Sequence, residues 1–152
     1  MKNILIVIFI AIGIYQWAGI SNTKEELLSD NPILTQTIVK SNDNKSLTQA
    51  FDSHQSNVQV RGSGNVIRIL PDDNSGSRHQ KFILQLTSGQ TVLIAHNIDL
   101  AERISSISNN DQIEFYGEYE WNQKGGVVHW THKDPNKKHT DGWLKHNSRM
   151  YQ

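Results

Sequence analysis

The stretch Gln112-Ile113-Glu114-Phe115-Tyr116-Gly117-Glu118-Tyr119-Glu120-Trp121 decides the fold. Ile113, Phe115, Gly117, Tyr119 and Trp121 alternate with Gln112, Glu114, Tyr116, Glu118 and Glu120, the period of two that a strand with one dry and one wet face requires. Asn122-Gln123-Lys124-Gly125-Gly126 follows as a turn, and Val127 to Thr131 supplies the next strand. If that turn closes symmetrically, Glu118 faces Trp130 and Tyr116 faces His132 on one surface, with Tyr119 facing His129 on the other.

The same texture continues upstream. His79 to about Thr87, with Phe82, Leu84 and Leu86 on one face, and Thr91 to His96 read as a hairpin turning at Ser88-Gly89. Val58, Val60, Val66, Ile67, Ile69 and Leu70 surround Gly62-Ser63-Gly64, which predicts a long first strand bent or bulged at its glycines. Pro71 to Ser77 is the plainest loop. Asp99 to Ile104 reads as a short helix capped by the Asp99 carboxylate, joining the third and fourth strands. A mainly β domain over residues 58–132 follows, a five-stranded barrel of the oligonucleotide/oligosaccharide-binding type, the OB-fold. A β-sandwich would need more strands, and an α/β fold would need long helical periods between them.

Both flanks differ in composition. Met1-Lys2-Asn3 precedes seventeen uncharged, mostly apolar residues, Ile4 to Ile20. The transfer free energies of Ile, Leu, Val and Phe favour a membrane, and Lys2 holds the cytoplasmic side, so residues 1–20 read as an apolar helix serving as signal peptide or uncleaved anchor. Export to the periplasm, or tethering to the inner membrane facing the periplasm, is the expected location. Residues 21–57 read as a polar spacer with short helices: one starting at Thr23, and one near Ser46 that places Leu47, Ala50, Phe51 and His54 on one face. Residues 133–152 form a mildly basic tail in which Gly142-Trp143-Leu144 and Met150-Tyr151 are apolar enough to pack back on the barrel.

Composition excludes several classes of function. With 152 residues the chain holds one domain plus extras, at roughly 100 to 200 residues per domain. Fifteen basic and fifteen acidic residues cancel, so no duplex-DNA partner is expected. The absence of cysteine removes disulfides, thiolate nucleophiles and Cys-based metal sites, leaving histidine and carboxylate as the metal ligands the chain could offer.

The segments Gly62-Ser63-Gly64-Asn65-Val66-Ile67, Leu70-Pro71-Asp72-Asp73, Arg78-His79-Gln80, Ala95-His96-Asn97-Ile98-Asp99-Leu100, Phe115 to Trp121 and His129-Trp130-Thr131-His132 resemble a bacterial family, domain of unknown function 3465 (DUF3465). The resemblance covers roughly residues 58–152. It implies bacterial origin and no particular chemistry.

Six of seven histidines fall in the second half of the chain, and seven of twelve aromatics in its last 38 residues. Histidine titrates near neutral pH and binds metals, which makes His79, His96 and His132 the candidates for a catalytic role. His96 shares a strand face with Val92 and Ile94 and emerges beside Asp99; its alternative role is a ring that caps the barrel and bonds to backbone. No metal set and no cofactor is assigned, because His129 and His132, three apart on one strand, point to opposite faces. The residues expected to bind ligand are Arg78, His79, His96, Asp99, Tyr116, Glu118, Trp130 and His132. Together these features point to a non-catalytic binding module whose partner is a glycan, a peptide, a single-stranded nucleic acid or another envelope protein. The alternative is a His-dependent, possibly metal-assisted hydrolase, a nuclease or phosphodiesterase.

Overall fold

Alternation along residues 112–121 becomes a strand because every second side chain finds the core. The computed structural model describes residues 44–152; the expected apolar helix at 4–20 and the helix start at Thr23 lie outside the described residues. Among the described residues the chain is mainly β, with seven strands in one sheet and one short helix. In chain order these are α1 (Lys45–Asp52), β1 (Val58–Asp73), β2 (His79–Gln85), β3 (Thr91–Asn97), β4 (Gln112–Glu120), β5 (Val127–His129), β6 (Trp143–His146) and β7 (Arg149–Tyr151).

The sheet order is β1-β2-β3-β5-β4-β6-β7, and β4 also pairs back to β1. One long strand serves both neighbours: Val58 to Asn65 pair with β4, and Asn65 to Asp73 pair with β2. All pairings are antiparallel except β3 with β5, where Leu93 and Ile94 meet Val127 and Val128 in parallel. Inward residues of every long strand meet in a single core, with Val60 and Val66 from β1, Phe82 and Leu84 from β2, Val92 and Ile94 from β3 and Ile113, Phe115 and Tyr119 from β4. Leu47 and Ala50 of α1 join it. Asn44 ties the helix start to β1: its carboxamide donates to the Ser63 carbonyl at 3.0 Å and accepts the Ser63 amide at 2.9 Å.

Several expectations are corrected. The irregularities of β1 fall between Val66 and Arg68 and between Leu70 and Asp73, beyond the glycines, so the strand runs through Pro71 and Asp72. The glycines have a different task, since a Cβ at Gly64 would stand 2.8 Å from the Gln85 carbonyl oxygen where β2 crosses. No helix forms over 99–104. The Asp99 carboxylate is taken instead by the Arg78 amide at 2.7 Å and the Arg78 Nε at 2.6 Å. Gln80 then holds Ile104 extended through both its amide and its carbonyl, each at 2.9 Å. The expected fifth strand ends two residues early because Trp130 adopts a φ of 51°. The tail adds β6 and β7, with Phe115 opposite Leu144 and Leu144 opposite Tyr151.

Register between β4 and β5 also differs from the symmetric expectation: Glu118 faces His129 and Tyr119 faces Val128. The loop is longer than the symmetric turn, because Asn122 Oδ1 accepts the amides of Lys124 and Gly126, and Gly125 and Gly126 take φ of 110° and 85°. One residue of slip turns His129 from the core to the outer surface.

Gly117, on the inward side of β4, has no room for a side chain: a Cβ would meet the His129 carbonyl oxygen and stand 2.9 Å from Thr131 Cγ2. Gly117→Ala should therefore destabilise the fold by about 2–3 kcal/mol, as overpacking does when neither neighbour can move. Urea unfolding measures this, and a cost below about 0.5 kcal/mol would mean that the β4–β5 crossing is looser than drawn.

Candidate functional site

The expected site residues fall into three groups. Arg78, His79 and Asp99 lie where β2 begins and β3 ends. Arg78 and Asp99 pair at 2.6 Å, and the Arg78 amide, followed by its guanidinium, holds the Asp99 carboxyl below its ordinary value. His79 leans on the Ser77 carbonyl at 2.8 Å. This is an exposed ion pair at a strand end, with Arg78 more than half exposed.

His96 and His132 form the second group, and both are buried. His96 pairs in register with Gln80 and points inward. Its Nε2–H donates to the Glu102 carbonyl at 3.2 Å, so the neutral ring accepts the Thr131 hydroxyl on Nδ1 at 2.8 Å. Both nitrogens are satisfied inside the protein. Burial, opposed by the Glu102 bond, pushes its pKa down to about 4. His132 is 3% exposed and donates from Nδ1 to the Lys133 carbonyl at 2.8 Å.

The third group occupies the outward face of β4 and its neighbours. Glu114, Tyr116, Glu118 and Glu120 all point outward, by the same alternation that buries Phe115 and Tyr119. Across the sheet Tyr116 meets Arg61 of β1 and Trp143 of β6. The Tyr116 and Trp143 rings lie 6.2 Å apart, and the Arg61 guanidinium sits 5.4 Å over Trp143. Glu114 pairs with Lys145 at 3.3 Å.

Glu118 lies between two histidines. His139 Nε2 reaches Glu118 Oε2 at 2.7 Å, and His139 Nδ1 faces the Thr140 carbonyl at 2.9 Å. Both partners are acceptors, so the ring is satisfied only when it carries both protons. Burial resists that charge, but the bonds to Glu118 and Thr140 prevail and raise its pKa. His139 also stacks on Trp130, 4.1 Å between centroids and 9° between planes. On the other side, His129 Nε2 is 3.7 Å from Glu118 Oε1 and has no hydrogen-bond partner among the described residues, although the atom is buried. Burial holds the His129 pKa down despite Glu118 and Glu120. Gln59, opposite Glu118 on β1, likewise has a buried Nε2 without a partner among the described residues.

The loop carrying His139 is fixed by Asp134, whose carboxylate accepts the amides of Asn136, Lys138 and His139 at 2.9, 2.7 and 2.8 Å. These bonds, the one to Asn136 foremost, keep its pKa low. The structure thus brings together Tyr116, Glu118 and Trp130 of the expected set on one surface, and leaves Arg78, His79 and Asp99 at another place. It adds Arg61, Glu120, His129, His139 and Trp143, none of which was in that set. Alternation alone could have supplied Glu120; the others depend on register and loop path.

A family model described as protein of unknown function (DUF3465) matches residues 32–152. The chain belongs to that family. A search of curated proteins returns no match. The DUF3465 match takes in every described strand and all three groups of candidate residues.

The His96 ring makes a pH prediction. An unfolded His titrates at about 6.5, so between that value and about 4 the unfolded chain binds a proton that the folded ring refuses. Its contribution is complete above about pH 6.5, is lost as pH falls, and is exhausted below about pH 4, a total on the order of 3 kcal/mol. His139, shifted upward, acts with the opposite sign, stabilising at low pH and losing its contribution as pH rises through its folded value. Comparing urea unfolding of wild type and His96→Gln across this range isolates the His96 part: the variant should lose markedly less stability on acidification, and equal losses would contradict an enclosed neutral ring.

Proposed function

We propose that this protein is an exported or membrane-tethered OB-fold module of a bacterial envelope that binds a ligand on the outward face of β4 and catalyses no reaction. The OB reading is supported by the circuit of pairings β1-β2-β3-β5-β4 and back to β1, with a long first strand shared between two neighbours. Export is supported by Lys2 and the apolar run Ile4 to Ile20; among the described residues no helix is long and apolar enough to cross a membrane.

The observation that carries the binding reading is the half-buried Trp143, with the Arg61 guanidinium over its ring and the Tyr116 ring beside it on an outward sheet face. Flat aromatic surface flanked by donors and carboxylates suits a ring with apolar faces and a polar rim. A glycan fits best. Glu114, Glu118 and Glu120 share the face, and their charge opposes the phosphates of a single-stranded nucleic acid. Binding is favoured over hydrolysis because His96 and His132, two of the three histidines a hydrolase would use, are enclosed.

Titrating the full chain with soluble N-acetylated amino-sugar oligosaccharides, followed by tryptophan fluorescence, tests this. Trp143→Ala should weaken binding at least about tenfold, the loss expected for one stacking ring, with the circular dichroism spectrum unchanged. A single-stranded oligonucleotide that binds more tightly, and is lost in the same variant, would replace the glycan. A folded wild-type protein that binds neither would remove the platform reading.

A further inference from the structure

Beside the aromatic platform, the outward surface carries a second constellation that stacking does not use. Glu118 and Glu120 are two apart on β4 and so project from the same face, and His129 stands opposite Glu118 on β5. One carboxylate oxygen from each glutamate and a ring nitrogen of His129 lie within 4.8 Å of one another. We infer that Glu118, Glu120 and His129 form a binding site for a divalent transition-metal ion of the zinc class, with an open position toward solvent.

Three features of the surroundings support this. His129 Nε2 is buried yet bonded to nothing among the described residues, and its nearest acidic neighbour, Glu118 Oε1, is too far for a hydrogen bond at 3.7 Å. A metal ion satisfies that nitrogen and both carboxylates together. Glu118 is already oriented: His139 grips Oε2 at 2.7 Å and is itself clamped by Trp130 and the Thr140 carbonyl, so Oε1 is left to face His129. Outer partners of this kind orient ligands in metal sites. The donor set of one imidazole and two carboxylates suits zinc and its transition-metal neighbours, and three protein ligands leave room for water or a ligand oxygen. Drawing donors that lie within 4.8 Å of one another to the edge of about 3.4 Å that bonds of about 2.1 Å require is within reach of two flexible glutamates. All three residues are partly exposed although the His129 Nε2 atom is itself buried, which gives an ion a path from solvent along the glutamates.

The inference does not rest on the glycan reading, since metal binding is read without any glycan. Full-length, tag-free protein stripped with a chelator is titrated with zinc chloride by calorimetry, and with cobalt chloride by visible absorption. The expected result is one zinc per chain, visible cobalt bands of a low-coordinate site, and a higher melting temperature with zinc. Glu120→Gln and His129→Ala should each weaken zinc binding by at least about a hundredfold, and His139→Ala, which removes only the orienting partner, by about tenfold. His54→Ala, at an exposed ring tilted 42° against Trp121, should leave zinc binding unchanged. Because Glu120→Gln keeps the shape of a surface side chain, loss of the zinc-dependent melting shift in a variant of normal metal-free stability confirms direct ligation. Undiminished binding in Glu120→Gln and His129→Ala, or wild-type protein that takes up no zinc at micromolar concentration, overturns the site.

Discussion

The structure depends on β4 giving its backbone to three neighbours at once. A strand has two edges: β1 takes the whole of one, while the other is divided, with Glu118 to Glu120 going to β5 and Ile113 to Tyr116 going to β6. Gly117 marks the divide. There β5 ends, Trp130 turns through a left-handed conformation, and the chain leaves the sheet until the Gly142 amide returns it to the His132 carbonyl at 2.9 Å. The missing Cβ of Gly117 lets Thr131 approach the inner side of β4, where its hydroxyl reaches His96.

The position of the candidate site follows from that divide. The excursion from Trp130 to Gly142 starts and ends beside the outward residues of β4, so whatever it carries is delivered onto Glu118. Asp134 makes the excursion a fixed structure by gathering the amides of Asn136, Lys138 and His139 on one carboxylate while its own amide donates to the Asp141 carboxylate at 2.8 Å. Core and surface are therefore linked through one strand: inward, its side chains close the hydrophobic interior; outward, they face the loop that the strand's own shared edge releases.

Much of the sheet was legible in the sequence, because burial on one face writes a period of two into residues 79–86, 91–96 and 112–121. What could not be read there was set by particular side-chain hydrogen bonds, some distant and some local. Asp99 resembled a helix cap in sequence, yet Arg78, twenty-one residues earlier, takes its carboxylate. The Asn122 turn looked symmetric until its side chain captured two amides and moved the β5 register by one. Tyr116, Glu118 and Trp130 were expected on one surface, and they share it, although through a different pairing. His129 was unreadable as a surface ligand, since the slip of one residue is what places it outside. β6 and β7 are too short to show an alternation, and only the apolar character of Gly142-Trp143-Leu144 and Met150-Tyr151 announced that this tail packs back.

Histidine count pointed toward chemistry, but the partners of each ring decide its state. His96 faces one carbonyl and one hydroxyl, an arrangement that a single proton satisfies, and burial then fixes it as neutral. His139 faces a carbonyl and a carboxylate, which only the doubly protonated ring satisfies, and these bonds raise its pKa. His129 has acidic neighbours and, among the described residues, no hydrogen bond on Nε2, so that nitrogen is left beside two carboxylates. The same residue type thus serves as a structural neutral ring, a ring whose protonated form is favoured and a ring with an unpartnered nitrogen among the described residues, all within a few strands of one another. The last two meet on Glu118, whose two oxygens are thereby given different tasks: Oε2 accepts from His139, and Oε1 faces His129 Nε2 at 3.7 Å. That division of one carboxylate, more than the abundance of histidine, is why the outward face of β4 is where we propose that binding occurs.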